Sequence, residues 1–404
     1  MKNKFAERTQ LVKPSETREI LKITARPEVI SFAGGLPAPE LFPVEDVKEV
    51  CHRVLTEEGA ASLQYSTTEG DQALREAICE RMEDIGINAT VDNVLITSGS
   101  QQAIDLTGKL FINPGDIIIC ESPTYLAAIN VFESYNATFI EVAMDDDGMI
   151  MEELEKKLQA YPDAKFIYTV PDFQNPTGRT LKYDRRKQMV ELAKQYDVLI
   201  VEDNPYGAIR FSGEKVPPIK HFDIDNRVIY ISSFSKIFAP GLRLGWICAD
   251  ETFIDKYVCF KQTADLHTDS FAQRIIAKYL ELYDMEEHIN KIKGVYKQRC
   301  TTMLSCIERF FPENINYSIP EGGLFIWVEL PEMIDSEQLL VECLENNVAF
   351  VPGTPFFPNS TKNNTLRLNY SNMPEERIIE GVKRIGEVLQ HKLKNENKKE
   401  VQEA

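Results

Sequence analysis

Residues 165–203 read KFIYTVPDFQNPTGRTLKYDRRKQMVELAKQYDVLIVED. Two short apolar runs, KFIYTV (165–170) and VLIVED (198–203), flank an amphipathic stretch at Asp184–Tyr196. Runs that are apolar throughout are strands buried on both faces, and a helix between two of them returns the chain for parallel pairing. Working outward, the unit recurs. VLIT (94–97), IIIC (117–120), RVIYIS (227–232) and GWICAD (245–250) are further such runs, with helical patterns between them from Val44 to about Asp250. The pattern predicts an α/β fold whose large domain is a mostly parallel sheet sandwiched by helices. After a long helical region at about 251–311, FIWVEL (325–330), VAFV (348–351) and TLRLNY (365–370) predict a smaller α+β domain. The large domain is placed at 46–295; residues 1–45 and 296–404 make the small one. A first helix is expected around Ser15–Ala25, and the polar tail KLKNENKKEVQEA (392–404) is expected to fray.

Charge narrows the function. The 404 residues include 45 Lys plus Arg against 63 Asp plus Glu, a formal net charge of −18. A surface of that sign repels polyanions, so nucleic acid is not expected as a partner. A small anion would have to be held locally, by a few arginines and helix N-termini. The eight cysteines form no C-x-x-C, so neither zinc nor a disulfide framework is indicated. The start has no apolar core of a leader, and no apolar stretch approaches the roughly 18 residues of a membrane span. A cytoplasmic protein is expected, without membrane contact.

In open α/β sheets ligands bind beyond the carboxyl ends of the strands. The segments there are TSGSQQ (97–102), ESPTY (121–125), PDFQNPTG (171–178), EDNPYG (202–207) and SSFSKIFAPGLRLG (232–245). Lys236 lies four residues after an apolar run, beside Ser233, Ser235 and Arg243. A lysine beside a buried strand end is normally excluded by its charge unless it serves as an amine. It reads as a Schiff-base lysine whose neighbours hold a phosphate, or as a surface lysine in a Ser-rich turn. Asp203 could keep a heteroaromatic nitrogen protonated, with Tyr206 bonding a ring oxygen; a plain Asp-Asn-Pro turn is the alternative. Asn175 alone is a turn residue. Gly99, Ser100 and Gln101 open a helix, as an anion site or simply a cap. Tyr125 could lie against a planar ring or pack in the core. Asp265, His267 and Asp269 read as a loop or interface cluster rather than a metal site, and Asp145–Asp147 before Gly148 as a solvated turn.

Together these residues resemble the fold-type I, pyridoxal 5′-phosphate-dependent aminotransferases of class I/II, over essentially the whole chain. S-x-S-K-x-x-x-P-G-x-R-x-G around Lys236, with N-P-T-G and D-x-x-Y, carries the resemblance. It implies that Lys236 binds the cofactor and moves the proton between Cα and C4′. Asp203 would pair with the pyridine nitrogen, Asn175 and Tyr206 with the ring oxygen, and Tyr125 would stack on the ring. Ser100, Gln101, Ser233, Ser235 and Arg243 would cradle the phosphate, and Arg367 would grip the substrate α-carboxylate. Tyr65, in LQYSTTEG, would reach the phosphate of a neighbouring subunit, making a homodimer with shared active sites. Segments around ETREILKITARPEVISFAGGLPAPELFP and VAFVPGTPFF resemble the 2-aminoadipate/kynurenine branch. There Gly34 and Gly35 would line the substrate mouth and Arg18 would read a side-chain carboxylate. Asp172 departs from the pattern and is expected near the ring face.

The resemblance implies a transaminase acting on an α-amino acid and a 2-oxo acid, with 2-oxoglutarate as the expected acceptor. A lyase or decarboxylase of the same fold is the alternative. A transcription regulator carrying such a domain would need added DNA-binding residues, for which fewer than about 20 precede the first family-like helix.

Overall fold

Each apolar run up to residue 250 becomes a strand of one eight-stranded sheet. The structure, a computed structural model, describes residues 4–12, 26–313, 315–359 and 362–403. Arg18 and the helix expected at Ser15–Ala25 lie outside the described residues. The sheet contains β1 (Val94–Thr97), β2 (Ile117–Ser122), β3 (Thr138–Asp145), β4 (Gly148–Met149), β5 (Phe166–Thr169), β6 (Leu199–Asp203), β7 (Val228–Ser233) and β8 (Gly245–Cys248). Across the sheet the order is β1-β8-β7-β6-β5-β2-β3-β4. The pairs β3–β2, β2–β5, β5–β6 and β6–β7 are parallel. Strand β8 runs antiparallel to both β7 and β1, and β4 returns on β3 as a hairpin.

Burial explains why the strands are apolar throughout. Ile118, Phe166, Val201 and Ile229 pack into the core on one face, while Ile119, Ile167, Ile200 and Val228 pack into the core on the other. Strands β2, β5 and β6 alternate between these two interiors, so they are apolar up to their polar carboxyl ends. Strand β3, TFIEVAMD, is not apolar throughout, because it lies toward the sheet edge with exposed positions interspersed. That is why it escapes a search for apolar runs.

The direction of the strands makes the site. β1, β2, β5, β6 and β7 all end at one edge, and the reversed β8 begins there. The chain runs from β2 to β3 in one direction and from β5 through β6 to β7 in the other. Loops therefore part beyond β2 and β5, which opens a crevice.

A four-stranded antiparallel sheet follows, formed by β9 (Asn316–Tyr317), β10 (Phe325–Glu329), β11 (Val351–Pro352) and β12 (Thr365–Asn369), in the order β9-β10-β12-β11. The N-terminal segment is stitched to this part of the chain, because Ile30–Ser31 pairs parallel with Val348–Ala349. Phe32 N donates to Ala349 O at 2.8 Å, and Asn369 N donates to Phe32 O at 2.9 Å. These bonds bring Ala33 and Gly35 toward the large sheet. One expectation fails. The polar tail continues a helix, Glu375–Glu403, rather than fraying. Its Ile378, Val382, Ile385 and Leu389 are buried, and the Lys- and Glu-rich continuation has good helix propensity.

Candidate active site

Five strand ends and the start of β8 converge on one cavity of about 130 Å³. Ser100 and Gln101 open the helix Ser100–Phe111 after β1; Tyr125 follows β2; Asn175 follows β5. Asp203 ends β6 with Tyr206 just beyond; Ser233 ends β7, and Ser235 and Lys236 follow it. Arg243 precedes β8. All ten residues line the cavity.

Lys236 Nζ donates to Gly35 O at 2.8 Å. Burial, with Arg367 and Arg243 adding repulsion, pulls its pKa down to about 8. An amine in that state is available as a nucleophile and base near neutral pH. Asp203 is 1% exposed; its Oδ2 accepts from the Tyr168 hydroxyl at 2.7 Å, and its Oδ1 has no partner. Burial pushes this carboxyl up to about 7, against the lowering effect of Tyr168. A buried carboxylate with one oxygen unmatched is a fit for a cationic aromatic N–H.

Next to it the polar groups form a chain. Asn175 Nδ2 donates to Tyr206 Oη at 3.3 Å, and Arg367 Nη1 donates to Asn175 Oδ1 at 2.7 Å. Arg367 Nη2 donates to Ala33 O at 2.8 Å. The guanidinium lies over Phe325, 4.2 Å from the ring centroid, and 5.1 Å from that of Phe356. Burial lowers its pKa to about 10, so it stays cationic at neutral pH. A desolvated guanidinium beside the lysine is suited to a carboxylate.

The other end of the cavity is shaped for an anion. Gly99 has φ +76°, and a Cβ there would meet Arg243 Nη2 at 2.6 Å. A Cβ on Gly245 would meet Ser100 N at 2.8 Å. Only glycine lets the helix start, the arginine and β8 approach this closely. Ser235 N donates to Ser233 Oγ at 2.9 Å, which sets the turn carrying Lys236. Helix amides, hydroxyls and Arg243 together match a phosphate. The anion end, the orphan carboxylate oxygen and the amine are the three fixtures that a pyridoxal phosphate needs.

The other expected residues are not among these ten. Arg367 and Gly35 border the cavity through their bonds to Asn175 and Lys236. Tyr65 is 79% exposed, its ring edge-on to His267 at 5.7 Å, and does not line the cavity of its own chain. Arg18 is outside the described residues. Asp172 is a correction: it is buried but turned away from the cavity. Its carboxylate accepts from Arg186 at 2.8 and 3.1 Å and from Asn204 Nδ2 at 2.9 Å, with Arg210 at 3.5 Å. Two arginines explain the acid, and they hold its pKa below the usual range despite burial.

Tyr168 is one residue that sequence reasoning missed. A hydroxyl on a strand buried on both faces needs a partner, and that signal was available in KFIYTV. Glu121 was missed too. It accepts from Thr169 Oγ1 at 2.6 Å and Gln174 Nε2 at 3.0 Å, bracing the loop that carries Asn175.

A model of the family "Aminotransferase class I and II" matches residues 28–385. The chain is 48% identical to aromatic-amino-acid aminotransferase 1 of Thermococcus litoralis, over 96% of this chain and 95% of that one. It superposes on the crystal structure of Pyrococcus horikoshii kynurenine aminotransferase with a TM-score of 0.93 and 43% identity, covering 96% and 98% of the two chains. The α-aminoadipate aminotransferase of Thermus thermophilus, crystallised with N-(5′-phosphopyridoxyl)-L-leucine, gives 0.90 at 38% identity, over 96% and 98%.

Proposed function

The chain belongs to the class I and II aminotransferases and is a pyridoxal phosphate-dependent enzyme of fold type I; we propose that it passes the amino group of aromatic, apolar or acidic α-amino acids to 2-oxoglutarate. The observation that carries the site assignment is the meeting of Lys236, the unpartnered oxygen of Asp203 and Arg367 around one cavity. Relatives named for aromatic amino acids, kynurenine and 2-aminoadipate support the donor range. We take 46–295 as the cofactor-binding domain, with 1–45 and 296–404 forming the part that carries Arg367. A cytoplasmic location fits relatives of this kind; among the described residues no helix is long and apolar enough to cross a membrane.

When bound, the cofactor supplies an aldehyde carbon for amine exchange and a ring that accepts the electron pair released at the substrate Cα. The chain supplies the rest. Asp203 holds a proton at the ring nitrogen. Asn175 and Tyr206 fix the ring oxygen, and Tyr125 bears on the ring face. Ser100, Gln101, Ser233, Ser235 and Arg243 hold the phosphate. Arg367 would take the substrate carboxylate as a charge-assisted partner. Lys236, with its pKa lowered by burial, would take the proton from Cα and deliver it at C4′.

Donor choice tests this reading. With 2-oxoglutarate as acceptor, Arg367→Ala is expected to lower kcat/KM for every donor. Arg18→Ala is expected to lower it for glutamate and 2-aminoadipate alone. A charge-assisted bond is worth roughly 1.5–3 kcal/mol, or about 10- to 150-fold. Equal losses for acidic and aromatic donors in Arg18→Ala would remove the side-chain role from that arginine.

The exposed Tyr65 supports a homodimer in which each subunit completes the other's phosphate site. Mixing Tyr65→Phe with Lys236→Ala subunits should then give heterodimers with one intact site and one doubly defective site. Activity recovered on mixing is the expected result. No recovery would mean that Tyr65 serves its own chain.

A further inference from the structure

We propose that Lys261 and Asp265, which lie outside the cavity, are positioning residues that hold the Ser98–Gln101 turn in register for the cofactor phosphate. The proposal rests on the reading of that end of the cavity as the phosphate site.

The observations are geometric. Lys261, on the helix Glu251–Ala264, has a fully buried side chain. Its Nζ lies 2.8 Å from both carboxylate oxygens of Asp265 and donates to Gln102 Oε1 at 2.9 Å. The same Gln102 oxygen accepts from Ser98 N at 2.8 Å. Gln102 Nε2 donates to Asp265 Oδ2 at 2.7 Å, and Ser98 Oγ reaches that oxygen at 3.3 Å. On its other side Ser98 O accepts from Arg243 Nη2 at 3.4 Å. Ser98 is thus fixed from two directions, and Gly99, Ser100 and Gln101 follow it directly.

Gln102 sits in the first turn of its helix and reaches back to Ser98 N, one residue before the N-cap Gly99, a step beyond the N-cap N–H that a capping-box glutamine takes. An amide can present either its oxygen or its NH2 to that N–H, and only the oxygen makes a bond. Lys261, a pure donor, and Asp265, a pure acceptor, dictate the orientation together. The ion pair contributes little to stability as such, because burying an ammonium offsets much of the attraction. Burial indeed lowers the Lys261 pKa despite Asp265. Orientation of the turn explains why a buried lysine stands here, and it gives Asp265 a task that its sequence neighbourhood with His267 and Asp269 did not reveal.

The test compares two aldehydes, pyridoxal phosphate and pyridoxal, binding to the cofactor-free protein. Wild type should prefer the phosphorylated one. Lys261→Met should lose about 10- to 100-fold of affinity for pyridoxal phosphate, by analogy with the loss when outer partners that orient metal ligands are removed. Its affinity for pyridoxal and the Tm of its cofactor-free form should stay near wild type, and Lys261→Arg should recover part of the loss. If Lys261→Met does not fold, Asp265→Asn replaces it, with the same selective loss expected. Equal losses for both aldehydes, or an unchanged preference in the variant, would overturn the proposal. A wild type that binds both aldehydes equally would instead remove the phosphate-site reading beneath it.

Discussion

Replacing Lys236 with alanine is expected to leave pyridoxal phosphate bound while transamination falls by at least about 10²- to 10⁴-fold, the contribution of a positioned general base. Asp203, the helix start at Ser100 and Arg243 all remain in the variant, so binding of the ring and phosphate persists. What is lost is the lysine amine that lines the cavity. With its pKa lowered to about 8, Lys236 is about half neutral at pH 8. At an ordinary pKa of about 10.4 roughly 0.4% would be neutral at that pH. The basic form grows as the pH rises, so a rate limited by this amine should climb through about pH 8 and level off above it. Absorbance titration separates binding from turnover. Borohydride reduction of the loaded wild type, followed by peptide mapping, should place the cofactor on Lys236. Attachment at another lysine would refute the assignment.

The division of labour between sequence and structure follows from burial. Strands packed on both faces are apolar along most of their length, so β1, β2, β5, β6, β7 and β8 announce themselves. Partly exposed β3 does not, and two-residue strands such as Ile30–Ser31 carry no periodicity at all. The antiparallel course of β8 was also hidden, because a strand's direction is a property of its neighbours. It matters to function, since only the reversal brings Arg243 to the edge where Lys236 stands.

The residues that meet at the cavity were legible where chemistry demands a particular type at a strand end. Lysine, aspartate and arginine in such places are expensive unless used, and Lys236, Asp203 and Arg243 meet as that logic requires. Partners that act through others were not legible. Tyr168 serves Asp203 from the adjacent strand, and Lys261 reaches Gln102 across 159 residues of sequence. Asp172 shows the reverse error. Its proximity in sequence to Asn175 suggested a place by the ring, but Arg186 and Arg210 lie on segments that could not be placed without the fold.

The second large effect is expected at Asp203. Asp203→Ala should reduce turnover by about 10²- to 10³-fold, the cost of removing one preorganised electrostatic partner of the developing charge. Asp203→Asn should be as damaging, since a neutral amide can donate to an unprotonated ring nitrogen but cannot hold a proton there. Stability should move the other way. In the cofactor-free protein, burial raises the Asp203 pKa to about 7, above its unfolded value of about 3.9. Between those values the native state keeps a proton that the unfolded state has released, so this carboxyl destabilises the fold increasingly as pH rises through that window. The asparagine variant lacks that penalty and preserves an acceptor for the Tyr168 hydroxyl. Its cofactor-free Tm should therefore exceed that of wild type at pH 8, and the difference should vanish near pH 4. Melting curves at the two pH values, set beside kcat, check both halves. An Asp203→Asn enzyme that turns over normally would mean that another group serves the ring nitrogen, and a lower Tm at pH 8 would mean that the carboxylate is held by partners rather than reserved for the cofactor.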